Sequence, residues 1–90
     1  IRGLYEQGGY AEYMAAPARW TVRDATGLPA AEAATLPMPI VTGVRAVKVV
    51  GEVKAGDHVV VTAGASGTGS IMVQIAKALG AQVATTIRSE

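Results

Sequence analysis

Residues 58–69 read HVVVTAGASGTG and contain the clearest indication of the fold. Its first half, His58 to Ala63, is nearly all apolar, which is typical of a parallel strand covered on both faces. Its second half, Gly64 to Gly69, is too rich in glycine to form either a helix or a strand. The stretch therefore predicts a buried strand that ends in a glycine turn.

The residues that follow this turn complete a recognisable unit. Apolar side chains lie broadly around a helix predicted from Ser70 to Leu79, so we expect that helix to be substantially buried. Gly80 ends it, and Gln82 to Ile87 predicts a second strand. Strand, glycine turn, helix and strand form a βαβ unit, the start of a doubly wound parallel sheet of the α/β class.

The first part of the chain has a different texture. Residues 9–23, GYAEYMAAPARWTVR, mix apolar and polar positions with β-forming residues, and Pro17 interrupts them. This pattern predicts two short strands joined across Pro17. We expect the aromatic side chains of Tyr10, Tyr13 and Trp20 to pack in the interior.

Two helices are predicted between these strands and the βαβ unit. The first follows Pro29, which a first helical turn accepts, and is stopped by Pro37 and Pro39. The second runs from about Ile40 to Val50 and is predicted to end in a left-handed cap at Gly51. The valines of this second stretch are also compatible with a strand.

The composition excludes several functional classes. The chain has no cysteine, which rules out a disulfide framework and a thiolate metal site. Eight basic and seven acidic side chains leave no polybasic run, so neither nucleic acid nor an anionic membrane is a predicted partner. No uninterrupted apolar stretch reaches the roughly 18 residues of a membrane span. We expect a cytoplasmic protein.

The glycine turn has the pattern of a dinucleotide-binding loop. A pyrophosphate needs backbone N–H groups at a helix N-terminus with no Cβ in the way. The fingerprint G-x-G-x-x-G provides this directly after a strand, and here it takes the form Gly64-x-Ser66-x-x-Gly69. A purely structural turn is the alternative, but the flanking strand and helix favour dinucleotide binding. The predicted cofactor-binding residues in the turn are Gly64, Ala65, Ser66, Gly67, Thr68 and Gly69.

The end of the second strand distinguishes between the two nicotinamide dinucleotides. NAD-binding proteins place Asp or Glu roughly 20 residues after the turn to accept from the ribose 2′-OH. Here that count reaches Ile87, Arg88 and Ser89, none of which is acidic. Arg88 and Ser89 are suited to a 2′-phosphate, so NADP(H) is favoured over NAD(H). Two alternatives stay open: Arg88 is a solvated strand-end residue, or Glu90 supplies the carboxylate for NAD.

Four stretches together resemble the medium-chain dehydrogenase/reductase superfamily, which includes the zinc alcohol dehydrogenases and the zinc-free quinone oxidoreductases. They cover nearly the whole chain in the family's order: Gly8 to Tyr13 with Pro17, Ala33 to Met38 with Thr42, Val53 to Asp57 with Val59 to Val61, and Ile75 to Ala81. The resemblance implies the β-rich tail of a GroES-like catalytic domain in residues 1–36. It implies a linking helix and the first βαβ unit of a Rossmann domain in residues 37–90.

The resemblance also has implications for the branch and the chemistry. Zinc alcohol dehydrogenases usually carry a cysteine zinc ligand where this chain has Met38, a thioether that zinc seldom uses, and His58 is expected to be structural. No zinc is expected, and the chain is similar to the quinone oxidoreductase and enoyl reductase side. Thr42 matches a position near the nicotinamide, or else is a hydroxyl that lines a helix.

The activity implied is hydride transfer from NADPH to a quinone, enone or related carbonyl-conjugated substrate, with the catalytic residues unidentified. The alternatives are a zinc-dependent alcohol dehydrogenase and a non-catalytic NADPH-binding protein of the zeta-crystallin type, structural or RNA-associated. The chain opens on Ile1, so we expect an internal part of a longer protein. The resemblance also implies that this longer protein forms homo-oligomers. The 90-residue segment alone is expected to be inactive.

Overall fold

The computed structural model describes residues 8–88, which form two compact units divided between Ala34 and Thr35. The predicted domain boundary, between residues 36 and 37, lies two residues further along the chain. A short 3₁₀ turn spans Ala18–Trp20. The other elements, in chain order, are helix α1 (Ala30–Ala33), helix α2 (Pro37–Val44), a π-helical continuation (Arg45–Val50), strand β1 (His58–Val61), helix α3 (Gly67–Ala78) and strand β2 (Gln82–Thr85).

The second unit contains the predicted βαβ arrangement. Strands β1 and β2 are parallel, with His58 opposite Gln82 and Val61 opposite Thr85, and α3 connects them. This confirms the α/β class. Both strands are shorter than predicted, and α3 begins three residues earlier, inside the glycine-rich stretch.

The core of this unit is small and built from short side chains. Val47, Ala76 and Ala81 are buried together, and Ala76 is fully inaccessible to solvent. Around them pack half-buried residues of the strands and of α3, among them Val59, Ile75 and Val83. Helix α3 supplies much of this cover, while Val60 of β1 is 70% exposed. The expectation that β1 is covered on both faces is thus not met within residues 8–88.

Helices α2 and α3 come close together at Gly43. A Cβ at Gly43 would lie 2.9 Å from Ile75 Cδ1 and 3.2 Å from Ile71 Cγ2, so these isoleucine side chains would have to shift to make room for it. Gly43 is buried in this contact. The helix predicted over residues 40–50 is formed by α2 and its π-helical continuation. It begins earlier, at Pro37, because a first helical turn accepts proline.

The end of this helix differs from the prediction at Gly51. Gly51 has φ −77°, and the left-handed residue is Glu52, with φ 48°. The last turn widens to a π-helix, so the Gly51 N–H donates to the Ala46 carbonyl at 2.8 Å and the Val53 N–H to Val47 at 3.1 Å. A Cβ on Gly51 would meet the Ala46 oxygen at 2.9 Å. Glycine is required here for space and not for a positive φ.

The two strands predicted over residues 9–23 are not formed. Within the described residues 8–34, the regular structure is the 3₁₀ turn after Pro17 and the single turn of α1. Tyr10, Tyr13 and Trp20 are exposed, which corrects their prediction as packing residues. The physical reason is that a two-stranded ribbon is marginal unless a hydrophobic face is covered, and these side chains find no such cover within their unit.

The helical run Ala30–Val50 is long and apolar enough to cross a membrane, with 21 residues and a mean hydropathy of 1.3 over its most apolar window. The run contains Glu32, Arg45 and Lys48, so it is not the uninterrupted apolar stretch expected of a membrane span. Core helices pass the same test, and here Gly43 and Val47 of the run pack in the second unit. Length and composition alone therefore do not indicate a membrane protein.

Candidate functional site

The glycine turn lies between β1 and α3, and Ser66 fixes the point at which the helix begins. Ser66 is the N-cap: its Oγ accepts from the Gly69 N–H at 3.1 Å, and its carbonyl accepts from the Ser70 N–H at 2.9 Å. Serine is a favoured N-cap because its side chain satisfies one of the otherwise unpaired amides of the first turn. Ser66 at the second glycine position of the fingerprint thus has a local structural reason.

Two glycines of the turn are required by close packing. A Cβ on Gly64 would meet the side chain of Thr85, whose own Cβ would be only 2.8 Å away. A Cβ on Gly69 would meet the Ala63 carbonyl group and would lie 2.9 Å from Ser66 Oγ. These contacts explain the first and third glycines of the fingerprint by strand–strand and helix–strand packing.

Gly67 is different, because a Cβ there would have no atom within 4 Å. The backbone amides of Gly67 and Thr68, the first two of α3, donate no hydrogen bond to any atom of residues 8–88. Gly67 is exposed and Thr68 half-buried. The N-terminus of α3 thus presents unpaired donors beside open space, which is the arrangement that suits an anionic group.

The other predicted cofactor residues lie outside the glycine turn. Arg88 is exposed and comes three residues after β2. Because β1 and β2 are parallel, the residues that follow them emerge at the same edge of the sheet, so Arg88 and the glycine turn share that edge. Thr42 is exposed on α2, next to the Gly43 contact with α3. Ser89 lies outside the described residues.

Two residues of the site were missed by sequence reasoning. Thr85 and Thr86, at the end of β2, hydrogen-bond to the residues that lead from β1 into the turn: the Thr85 hydroxyl donates to Val61 O at 2.7 Å, and Thr86 Oγ1 accepts from the Ala63 N–H at 3.2 Å. The sequence feature that could have identified them is the pair of consecutive threonines at the carboxyl end of the second strand.

Metal ligands are not clustered in the part of the chain that the structure describes. No group of three or more His, Cys, Asp or Glu side chains in residues 8–88 is arranged to hold a metal ion. His58 is exposed at the start of β1, and Met38 is 45% exposed in the first turn of α2. The absence of zinc from the whole protein stays a prediction.

Comparison with known proteins gives three relevant similarities. The chain is 40% identical over 88 residues to a probable quinone oxidoreductase of Leishmania amazonensis, matching 97% of this chain and 25% of that protein. It resembles the JamJ enoyl reductase with a TM-score of 0.70 and 31% identity, over 74% of this chain and 20% of the enzyme. For the CurF ER cyclopropanase of the curacin A biosynthetic pathway the TM-score is 0.64 and the identity 32%, over 67% and 18% of the two chains.

No protein-family model matches the chain. The chain spans about a quarter of the length of its curated relative and about a fifth of each of the two solved structures. The sequence similarity and the two structural similarities nevertheless agree. Each covers most of this chain, and all three lead to the same group of oxidoreductases. The chain belongs to the medium-chain dehydrogenase/reductase superfamily, with quinone oxidoreductases and enoyl reductases as its relatives.

Proposed function

We propose that the protein is an NADP(H)-dependent oxidoreductase that transfers hydride to a quinone, enone or related carbonyl-conjugated substrate, and that the glycine turn binds the pyrophosphate of the cofactor. The observation that carries this proposal is the pair of unpaired amides at Gly67 and Thr68, next to open space above Gly67. A phosphate placed there accepts from both amides and interacts favourably with the helix dipole.

The fit to a dinucleotide rests on the chemistry of the donors and on the space available. Ala65, Ser66 and Gly67 are all exposed, so the turn is accessible to a ligand. The cofactor supplies the hydride, and the protein has to bind, orient and shield it. In this proposal the turn holds the pyrophosphate, Arg88 and Ser89 hold a ribose 2′-phosphate, and Thr42 contacts the cofactor near its nicotinamide.

The relatives support the type of reaction. One bears the name quinone oxidoreductase and one the name enoyl reductase, and both names describe reduction of an electron-poor conjugated system. We further propose that the protein is cytoplasmic, acts on a small molecule without zinc, and forms homo-oligomers.

The test uses the full-length protein and its Gly67→Val variant. A valine at this position has room in the free protein but places its side chain in the space proposed for the pyrophosphate. We expect fluorescence titration to show tight NADPH binding by the wild type and at least roughly tenfold weaker binding by the variant. A tenfold change corresponds to the loss of about one charge-assisted hydrogen bond.

Ala78→Val is the matched control, since Ala78 is exposed at the opposite end of the same helix. Its NADPH affinity should remain within about twofold of the wild type, because small surface changes away from a site have little effect. Oxidation of NADPH by a quinone or enone would support the reductase. Tight binding without turnover across such a panel would instead support a non-catalytic binding protein, and a wild type that does not bind NADPH would contradict the proposal.

A further inference from the structure

We propose that Thr86, assisted by Thr85, is a positioning residue that sets the backbone of the glycine turn and thereby its affinity for the dinucleotide. The inference rests on the proposed function, since it concerns how the turn is held ready for its ligand. Neither residue belongs to the glycine fingerprint. Both act on it from the end of the second strand.

The residue that Thr86 holds is Ala63, where the chain leaves β1. Ala63 has φ 54°, a left-handed conformation that costs energy for a residue with a Cβ. Its N–H donates to Thr86 Oγ1 at 3.2 Å, and the next amide, that of Gly64, donates to the Thr86 carbonyl at 3.0 Å. Thr86 therefore supplies acceptors to both amides of the sharp bend that begins the turn.

The same bend is connected directly to the start of α3. The Ala63 carbonyl accepts from the Ser66 N–H at 2.9 Å, and the backbone of Gly69 packs against that carbonyl group. Ser66 in turn caps the helix through its hydrogen bond with the Gly69 amide. The orientation of Ala63 thus determines where the unpaired amides of Gly67 and Thr68 lie.

Thr85 fixes the other side of this connection. Its hydroxyl donates to the Val61 carbonyl at 2.7 Å, while the Thr86 N–H donates to the same carbonyl at 3.2 Å. The last residue of β1 is therefore held by two donors, one from the last residue of β2 and one from the residue that follows it. If the Thr86 hydroxyl is removed, the left-handed bend loses one of its anchors, and binding must then supply the ordering of the turn.

The test measures NADPH binding and steady-state kinetics of the full-length protein and of its Thr86→Val variant. Valine has nearly the shape of threonine but cannot accept the Ala63 N–H. We expect the Kd and the KM for NADPH to rise at least roughly fivefold, the effect of one unmet hydrogen bond. The kcat at saturating NADPH and the KM for the second substrate should stay within about twofold.

Thr86→Ser keeps the hydroxyl and is expected to restore affinity to within about twofold of the wild type. Thr62→Val is the control for removing a neighbouring hydroxyl, because the exposed Thr62 side chain makes no hydrogen bond within residues 8–88. Unchanged NADPH affinity in Thr86→Val, or equal losses in Thr86→Ser and Thr86→Val, would overturn the inference while leaving the proposed cofactor site intact.

Amide hydrogen exchange of the wild type provides a second measurement that needs no variant to fold. In the cofactor-free protein, the Ala63 and Gly64 amides should exchange markedly more slowly than the Gly67 and Thr68 amides. Exchange of all four at one rate would contradict the proposed anchoring. A wild type that fails to bind NADPH would overturn the proposed function, and the exchange pattern would then decide separately whether Thr86 holds the turn.

Discussion

The side chain of Thr85 occupies the space that a Cβ on Gly64 would need, so the end of β2 and the start of the glycine turn fit together only because residue 64 has no side chain. The Thr85 Cβ would lie 2.8 Å from the added atom, with the hydroxyl still closer. The same hydroxyl donates to the carbonyl of Val61. Thr85 thus both connects the two strands and determines that the turn begins with glycine.

Gly64→Ala is expected to lower the free energy of unfolding by about 1–3 kcal/mol, because overpacking forces the two strands apart. Chemical denaturation of the full-length protein measures this. In a double-mutant cycle with Thr85→Gly, the two losses should be less than additive, with a coupling energy of roughly 0.5–3 kcal/mol. Strict additivity would show that the two residues do not conflict. Gly9→Ala is the control, because no atom lies within 4 Å of the added carbon.

Ser66→Ala should lower the free energy of unfolding by about 1 kcal/mol, since the helix loses its cap and the Gly69 amide loses its acceptor. Ser66→Thr keeps an acceptor oxygen and should retain most of the stability. Urea denaturation curves of the three proteins check this. Equal stability of all three would mean that the cap contributes nothing to folding.

Arg88→Ala should weaken NADPH binding roughly 10- to 100-fold and leave NADH binding within about twofold, because a hydrogen bond to a charged group contributes about 1.5–3 kcal/mol and only NADPH carries the 2′-phosphate. Titration of both cofactors in both proteins measures the difference. Arg45→Ala removes another exposed arginine, from the π-helical turn, and serves as the control. Equal losses for the two cofactors would rule out recognition of the 2′-phosphate by Arg88.

The pKa of Asp24 lies below its ordinary value, first because its carboxylate accepts the Thr26 backbone N–H at 2.9 Å and then because it accepts the Thr26 hydroxyl at 2.7 Å. Because the pKa is depressed in the folded state, the hydrogen bonds between Asp24 and Thr26 stabilise this segment fully above the ordinary pKa of about 3.9. That stabilisation is lost as the pH falls through the lower pKa of the folded state. Thr26→Val should raise the pKa of Asp24, measurable by NMR titration of its carboxyl carbon. An unchanged pKa would show that the hydroxyl contributes nothing to the shift.

Some features of the fold follow from local chemistry and are therefore readable in the sequence. An apolar run, a glycine turn and a helix ended by glycine predict a βαβ unit, because each step depends on residues adjacent in the chain. The order of the domains was predicted from the resemblance to the family and not from local chemistry. The two strands over residues 9–23 could not be judged in this way, because strand formation depends on partners and cover that local alternation does not reveal.

Residue type and order along the chain are enough to predict the βαβ unit, the position of the glycine fingerprint and the resemblance to the superfamily. The form of the fingerprint depends on packing: Gly64 and Gly69 are required by contacts with Thr85 and Ala63, whereas Gly67 faces open space. Packing also places Glu52, and not Gly51, in the left-handed conformation. The physical reason is that a close approach joins backbone atoms distant in sequence, and its geometry exists only once the strands and helices have packed.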